Sequence, residues 1–200
     1  VCSSDLHVDF EKIHTEGITK ITTEDMKYAK KLNMAIKLLA SSKRVGDTFS
    51  VLVAPMLLSE EHPLCNVNDV FNAVFVRGNM LGDAMFYGSG AGKLPTASAV
   101  VADVVDAAKH LHRNVVTRWD AGELELIPNA EAEHRFFVRV QGRSEAQKEQ
   151  IREAFGSVEI VETEGLEDEF GFITEVMTEG TYSKKAEAFP EIIHMIRLAD

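Results

Sequence analysis

Cysteine is nearly absent from this 200-residue sequence: only Cys2 and Cys65 occur, too few for a disulfide framework. The seven histidines show neither HxxxH spacing nor a cysteine partner at metal-ligand spacing, so no metal site is read. No apolar run approaches the roughly 20 residues needed to span a bilayer, and no charged-then-apolar leader opens the chain. Positive charge is also short, with 21 Lys and Arg against 32 Asp and Glu and a formal net charge of -11, most of it carried by residues 129–200. That balance argues against nucleic acid and anionic membranes as partners. What is present is a 45% hydrophobic, 26% charged chain, enough for one core or two modest ones. The reading is a soluble protein of a reducing cytoplasm.

The sequence starts without methionine, and residues 1–6 match nothing that follows, so 1–7 reads as a truncated or foreign start. Regular grammar begins near Thr15. Thr22-Thr-Glu-Asp25 has the form of a capping box, and Met26, Ala29 and Leu32 or Lys30 follow at helical spacing. AIKLLA (35–40) and FSVLVA (49–54) are apolar runs bounded by a turn-forming stretch and by Pro55, which predicts two strands. FNAVFVR (71–77) and DAMFY (83–87) predict another pair around Gly78 and Gly82. A helix then starts at Pro95, which needs no N–H in a first turn, with Thr96 or Ser98 offering a hydroxyl nearby. Its face of Ala97, Val100, Val101, Val104, Val105 and Ala108 predicts burial against a substantial partner.

Residues 114–133 lack periodicity, contain Gly122 and Pro128, and read as a linker with one short strand at 124–127. Beyond it RFFVRV (135–140) alternates as a strand, and Ser144-Glu-Ala-Gln147 is an S-x-x-Q capping box. The helix it opens points Ala146, Ile151, Ala154 and Phe155 inward. Strands at 158–161 and 171–177, a helix at 181–189 ending before Pro190, and a strand at 192–198 complete a βαββαβ order, the ferredoxin-like arrangement. The fold class is therefore α/β: a mixed-sheet region followed by a βαββαβ domain that is expected to fold on its own.

YGSGAGKLPTASAVVADVVDAAKH (87–110) places three glycines in five residues ahead of a helix. It is not a Rossmann fingerprint, because the spacing is GxGxG, and not a Walker loop, because Gly92-Lys93 is followed by Leu94. Two readings stand on the residues alone: a loop whose backbone approaches a ligand, or a tight strand-to-helix connection needing positive φ.

TEGITKIT, IKLLA, NAVFV and above all YGSGAGKLPTASAVVADV resemble the later part of the catalytic region of homoserine dehydrogenases, and the βαββαβ unit resembles the ACT regulatory domain many of them carry. The resemblance covers roughly residues 8–200. It implies a division into 8–113 (catalytic-region fragment), 114–133 (linker) and 134–200 (ACT domain). It also implies NADP- or NAD-dependent interconversion of L-aspartate 4-semialdehyde and L-homoserine, on the route to threonine, methionine and isoleucine. Gly88, Gly90 and Gly92 would then lie near the nicotinamide end of the cofactor, with 96–110 as a buried return helix. The family's nucleotide domain and its Asp-x-x-x-Lys helix belong before residue 8, so no catalytic residue is named and the 200 residues alone are expected to be inactive. Lys37 and Glu16 attract attention, but a strand lysine is more often solvent-facing.

In the small domain, a glycine after the first strand and a capped helix start predict free N–H groups for an amino-acid carboxylate, so Gly142, Arg143 and Ser144 are the effector candidates. The resemblance makes threonine the first effector to test and implies a homo-oligomer. The remaining alternative is a non-catalytic amino-acid-binding and dimerisation module.

Overall fold

A computed structural model describes residues 7–113 and 122–199. In chain order the elements are β1 (His14–Thr15), α1 (Thr23–Lys31), β2 (Met34–Val45), β3 (Thr48–Ser59), β4 (Phe71–Gly78), β5 (Gly82–Ser89) and α2 (Lys93–Lys109). There follow β6 (Glu133–His134), β7 (Phe136–Gln141), α3 (Glu145–Phe155), β8 (Val158–Val161), β9 (Glu169–Thr174), β10 (Met177–Thr178), α4 (Glu179–Ala186) and β11 (Ile192–Leu198). The described residues form two compact units, 7–59 with 122–199, and 60–113. The ranges read from sequence, 8–113 and 134–200, follow chain order; the compact units instead group 7–59 with the second half.

The larger unit is built on one seven-stranded mixed sheet. β2 runs antiparallel to β3 over all twelve of its residues, from Met34 opposite Ser59 to Val45 opposite Thr48. On the other edge of β3, β1 pairs in parallel at Leu52 and Val53, and β11 pairs in parallel at Met56 and Leu57. From β11 the sheet continues antiparallel through β7, β9 and β8. The βαββαβ order expected from sequence is present as β7-α3-β8-β9-α4-β11, with spatial order β11-β7-β9-β8.

β2 and β3 are longer than their apolar runs, and β3 passes through Pro55 where sequence predicted its end. The carbonyl of Val53 accepts from the N–H of Glu16, and that of Leu57 from Ala199, so both face the β1/β11 edge. The two-residue strand period puts Pro55 on that same edge. It stands at the step between the end of β1 pairing and the start of β11 pairing, where a residue lacking an N–H costs least.

Both faces of the sheet are covered. Phe136, Val138 and Val140 of β7 pack with Phe170 and Phe172 against Ile151 and Phe155 of α3 and Tyr182 of α4. The alternate residue Phe137, with Ile173, Ile196, Leu198 and Leu57, packs against Tyr28 and Ala29 of α1. Each such large apolar side chain contributes about 1.5–3 kcal/mol on burial. The α1 capping box forms in both directions between Thr22 and Asp25, but the buried face is Asp25, Tyr28 and Ala29, while Met26 is exposed. Tyr28 against the Phe137 ring, at 5.2 Å between centroids, sets that rotation. In α3, Ile151 and Phe155 are buried and Ala154 half-buried as expected, but Ala146 is exposed and Lys148 is buried instead. The Lys148 ammonium spans Glu145 at 2.6 Å and Glu162 at 2.7 Å, which explains how a lysine sits there. α4 starts earlier than predicted, capped by Thr178. The strand expected at 124–127 is reduced to isolated bridges from Glu123 to His7 and from Leu126 to Phe49. Residues 1–6 and 114–121, which include the suspected foreign start and most of the linker's first half, lie outside the described residues.

In the smaller unit, β4 and β5 form an antiparallel hairpin from Phe71 opposite Ser89 to Gly78 opposite Gly82, with Phe71 and Tyr87 stacked at 4.9 Å. α2 begins two residues before Pro95, not at it, and neither Thr96 nor Ser98 caps it. The buried face predicted for this helix is not observed: no residue of α2 is buried, and Val100, Val101, Val104 and Val105 are exposed. A two-stranded hairpin is too small to enclose a core, and both buried clusters belong to the larger unit.

Candidate functional site

The glycine loop joins β5 to α2 within residues 60–113. Gly88 is still in β5, opposite Asn72. It has open space around it and needs no unusual φ. A Cβ at Gly90 would run into the Asn72 amide, a side chain able to swing aside. Gly92 is different. As N-cap of α2 it adopts φ 121° and ψ 152°, a region essentially closed to residues with a Cβ. It also offers no side-chain cap, so the N–H groups of Lys93 and Leu94 meet no side-chain acceptor at the positive end of a 17-residue helix. Two such N–H groups suit an anionic group brought close to backbone, and Lys93 adds a cation.

The second candidate, Gly142, Arg143 and Ser144, lies between β7 and α3. Gly142 has φ 104° and donates its N–H to the Asp168 carbonyl at 2.7 Å. Ser144 donates its N–H to Gln147 Oε1 at 3.2 Å, and its hydroxyl accepts from the Gln147 N–H at 3.2 Å. Arg143 reaches Glu167 at 2.5 Å and Glu162 at 3.4 Å, and the hydrogen bond to Glu167 holds its guanidinium above the ordinary arginine value. The N–H groups of Gly142 and Ser144, predicted free, are therefore already used. The capping box that marks the turn in sequence is itself what consumes one of them.

Sequence reasoning passed over the most heavily bonded side chains of the larger unit. Arg139, on β7, is 3% exposed. It grips Glu169 with Nε at 3.0 Å and Nη2 at 2.7 Å, while Nη1 reaches Asp25 at 2.9 Å and the Thr22 hydroxyl at 3.0 Å. The other Asp25 oxygen meets His194 Nδ1 at 3.0 Å. Burial pushes the Asp25 carboxyl up, but hydrogen bonds from His194, the Thr22 N–H and Arg139 outweigh it and hold the group at about 2. Arg197, on β11, repeats the scheme: it is bidentate to Glu179 and reaches Glu16 at 2.9 Å, and Glu16 lies 2.6 Å from His14 Nε2. Burial raises the Glu16 carboxyl, and the bonds from Arg197 and His14 bring it below the usual range. In RFFVRV the alternation makes Arg139 look solvent-facing; only the covering of that face by α1, more than 100 residues away in sequence, reveals it as interior.

Among the described residues no group of three or more His, Cys, Asp or Glu is placed to hold a metal, and no helix is long and apolar enough to cross a membrane. Cys65 is a free, half-buried thiol.

The sequence profile of homoserine dehydrogenases matches residues 2–105. The chain belongs to the homoserine dehydrogenase family. It is 36% identical to the Neisseria gonorrhoeae homoserine dehydrogenase over 146 residues, 69% of this chain and 34% of that protein. It is 32% identical to the Mycobacterium bovis homoserine dehydrogenase over 205 aligned residues, 92% of this chain and 46% of that protein. A homoserine dehydrogenase structure from Thiobacillus denitrificans, 30% identical, superposes with a TM-score of 0.83 over 96% of this chain and 48% of its own. The chain thus spans between about a third and a half of these homoserine dehydrogenases. The family match takes in the glycine loop, Glu16 and Asp25, and ends before the β7–α3 turn.

Proposed function

We propose that these residues are part of a homoserine dehydrogenase that interconverts L-homoserine and L-aspartate 4-semialdehyde with NADP or NAD, in the biosynthesis of threonine, methionine and isoleucine. The observation that supports it best is the family match over 2–105 continued, as similarity to the M. bovis relative, over 92% of the chain. A nicotinamide cofactor, when bound, would supply hydride transfer at the carbon that interconverts the alcohol of homoserine and the aldehyde. Gly88, Gly90 and Gly92 would let backbone approach that cofactor, and the N–H groups of Lys93 and Leu94 would face its negative charge. The uncapped, glycine-led start of α2 fits that role. None of the chain's own residues is assigned proton transfer.

The βαββαβ segment, 134–200, reads as an ACT domain that binds threonine in a cytoplasmic homo-oligomer. An effector at Gly142, Arg143 and Ser144 would use the half-buried Arg143 guanidinium at the turn, in exchange for its bonds to Glu162 and Glu167.

A chimera tests the catalytic reading. The part of the N. gonorrhoeae relative that this chain does not match is joined to these 200 residues, and nicotinamide absorbance is followed with homoserine. Turnover by the chimera, with none from the 200 residues alone, is the expected result. A folded chimera without turnover, or turnover by the 200 residues alone, overturns the proposal.

A further inference from the structure

The step in the sheet at Pro55 opens onto a cavity of about 250 Å³ within the larger unit. Its volume corresponds to roughly eight waters at ~30 Å³ each, enough for a small metabolite and too little for a dinucleotide. The floor is apolar, made by Pro55, Met195 and Ile196. Around it stand three polar side chains with capacity left over: Glu16, Lys20 and His194. His194 spends Nδ1 on Asp25, which leaves Nε2 as its free ring nitrogen. Glu16 spends Oε1 on both Arg197 and His14, which leaves Oε2. Lys20 has no hydrogen bond or ion pair among the described residues.

The charge around the cavity is uneven. Arg197 faces two carboxylates, Glu16 and Glu179, and Arg139 faces two more, Asp25 and Glu169. The surplus carboxylate at the cavity wall is Glu16, which favours an ammonium there together with the accepting Nε2 of His194, whose Nδ1–H is given to Asp25, whereas Lys20 favours a carboxylate. Both signs over an apolar floor select a ligand that carries both signs and a short side chain.

We propose that this cavity binds a small zwitterionic amino acid, its ammonium on Glu16 and His194, its carboxylate on Lys20, and its side chain over Pro55 and Ile196. None of its lining residues belongs to the glycine loop or to the turn at Gly142, and it joins residues 15–21 to β11.

Gly17 supplies a clean test. It lines the cavity, has an ordinary φ of -93°, and a Cβ built on it meets nothing within 4 Å. Gly17→Val therefore fills ligand space without backbone strain. Calorimetry on the full chain uses L-threonine, L-valine and L-threoninamide at millimolar concentration. Saturable binding of at least one of the two acids is expected, weakened at least tenfold by Gly17→Val and by Lys20→Met, and weakened similarly when the carboxylate is replaced by the amide. No binding of either acid to the folded wild-type chain overturns the proposal. So does binding that survives both substitutions. If such binding is lost in Arg143→Ala instead, the turn is the effector site, and the regulatory reading stands while the cavity proposal falls.

Discussion

At the scale of single residues, the structure separates glycines that composition cannot. Gly92 sits where a Cβ is strained whatever binds nearby, so Gly92→Ala is expected to cost on the order of 1–3 kcal/mol of stability, read from urea unfolding. Gly88 has open surroundings and an unexceptional φ, so Gly88→Ala leaves stability unchanged. In the active chimera it is therefore the better reporter of close cofactor approach: a rise of about tenfold in KM for the nicotinamide, equal to about 1.4 kcal/mol, supports that approach, and unchanged kinetics refutes it at this position. Asp25 makes a pH prediction. Its folded value of about 2 lies below the unfolded 3.8, so the group adds stability that is complete above about pH 4 and is lost as pH falls through 2. The amount is about 2 kcal/mol. Acid titration of unfolding free energy checks it, and Asp25→Asn is expected to flatten that part of the curve.

At the scale of elements, the two capping boxes look alike in sequence and differ in what they hold. Ser144 bonds only within its own helix start, so Ser144→Ala is expected to cost about 1 kcal/mol. Thr22 caps α1 and also accepts from buried Arg139 across 117 residues of chain, so Thr22→Ala is expected to cost more, about 2 kcal/mol. Equal losses in chemical denaturation would show that the Arg139 contact adds nothing. Both boxes, the β4–β5 hairpin and the βαββαβ order were legible because each is a local signal spanning a few residues or one strand period. The passage of β3 through Pro55, the burial of Arg139 and the bare face of α2 were not, since each depends on what lies beside the element. The glycine loop was legible as a loop before a helix, but its one demanding glycine emerged only from φ. At the 142–144 turn the motif was read correctly and its spare N–H groups were not, because the cap and a carbonyl from the β8–β9 connection had taken them.

At the scale of the whole molecule, the continuous sheet changes what an excised domain is expected to do. Tyr28, Ala29 and Leu57 complete the cluster that contains Phe137, Ile173, Ile196 and Leu198. Residues 130–200 alone would expose that face, together with Arg139 and Arg197 without Asp25 and Glu16. The excised segment is therefore expected to self-associate or bind a hydrophobic dye, and to recover a sharp unfolding transition when 1–59 is supplied. A monomeric excised segment with cooperative unfolding would show that the βαββαβ sheet stands without its second cover. The parallel pairing of β3 with β11 joins residue 56 to residue 197, and a ribosome makes these two strands far apart in time. At 5–20 residues per second the first waits on the order of ten seconds for the second. Until then the part of β3 that pairs with β11, at Met56 and Leu57, and the side of α1 that meets Phe137, Ile173 and Ile196 lack those partners, so the early part of this chain is the stretch that most needs a chaperone during synthesis.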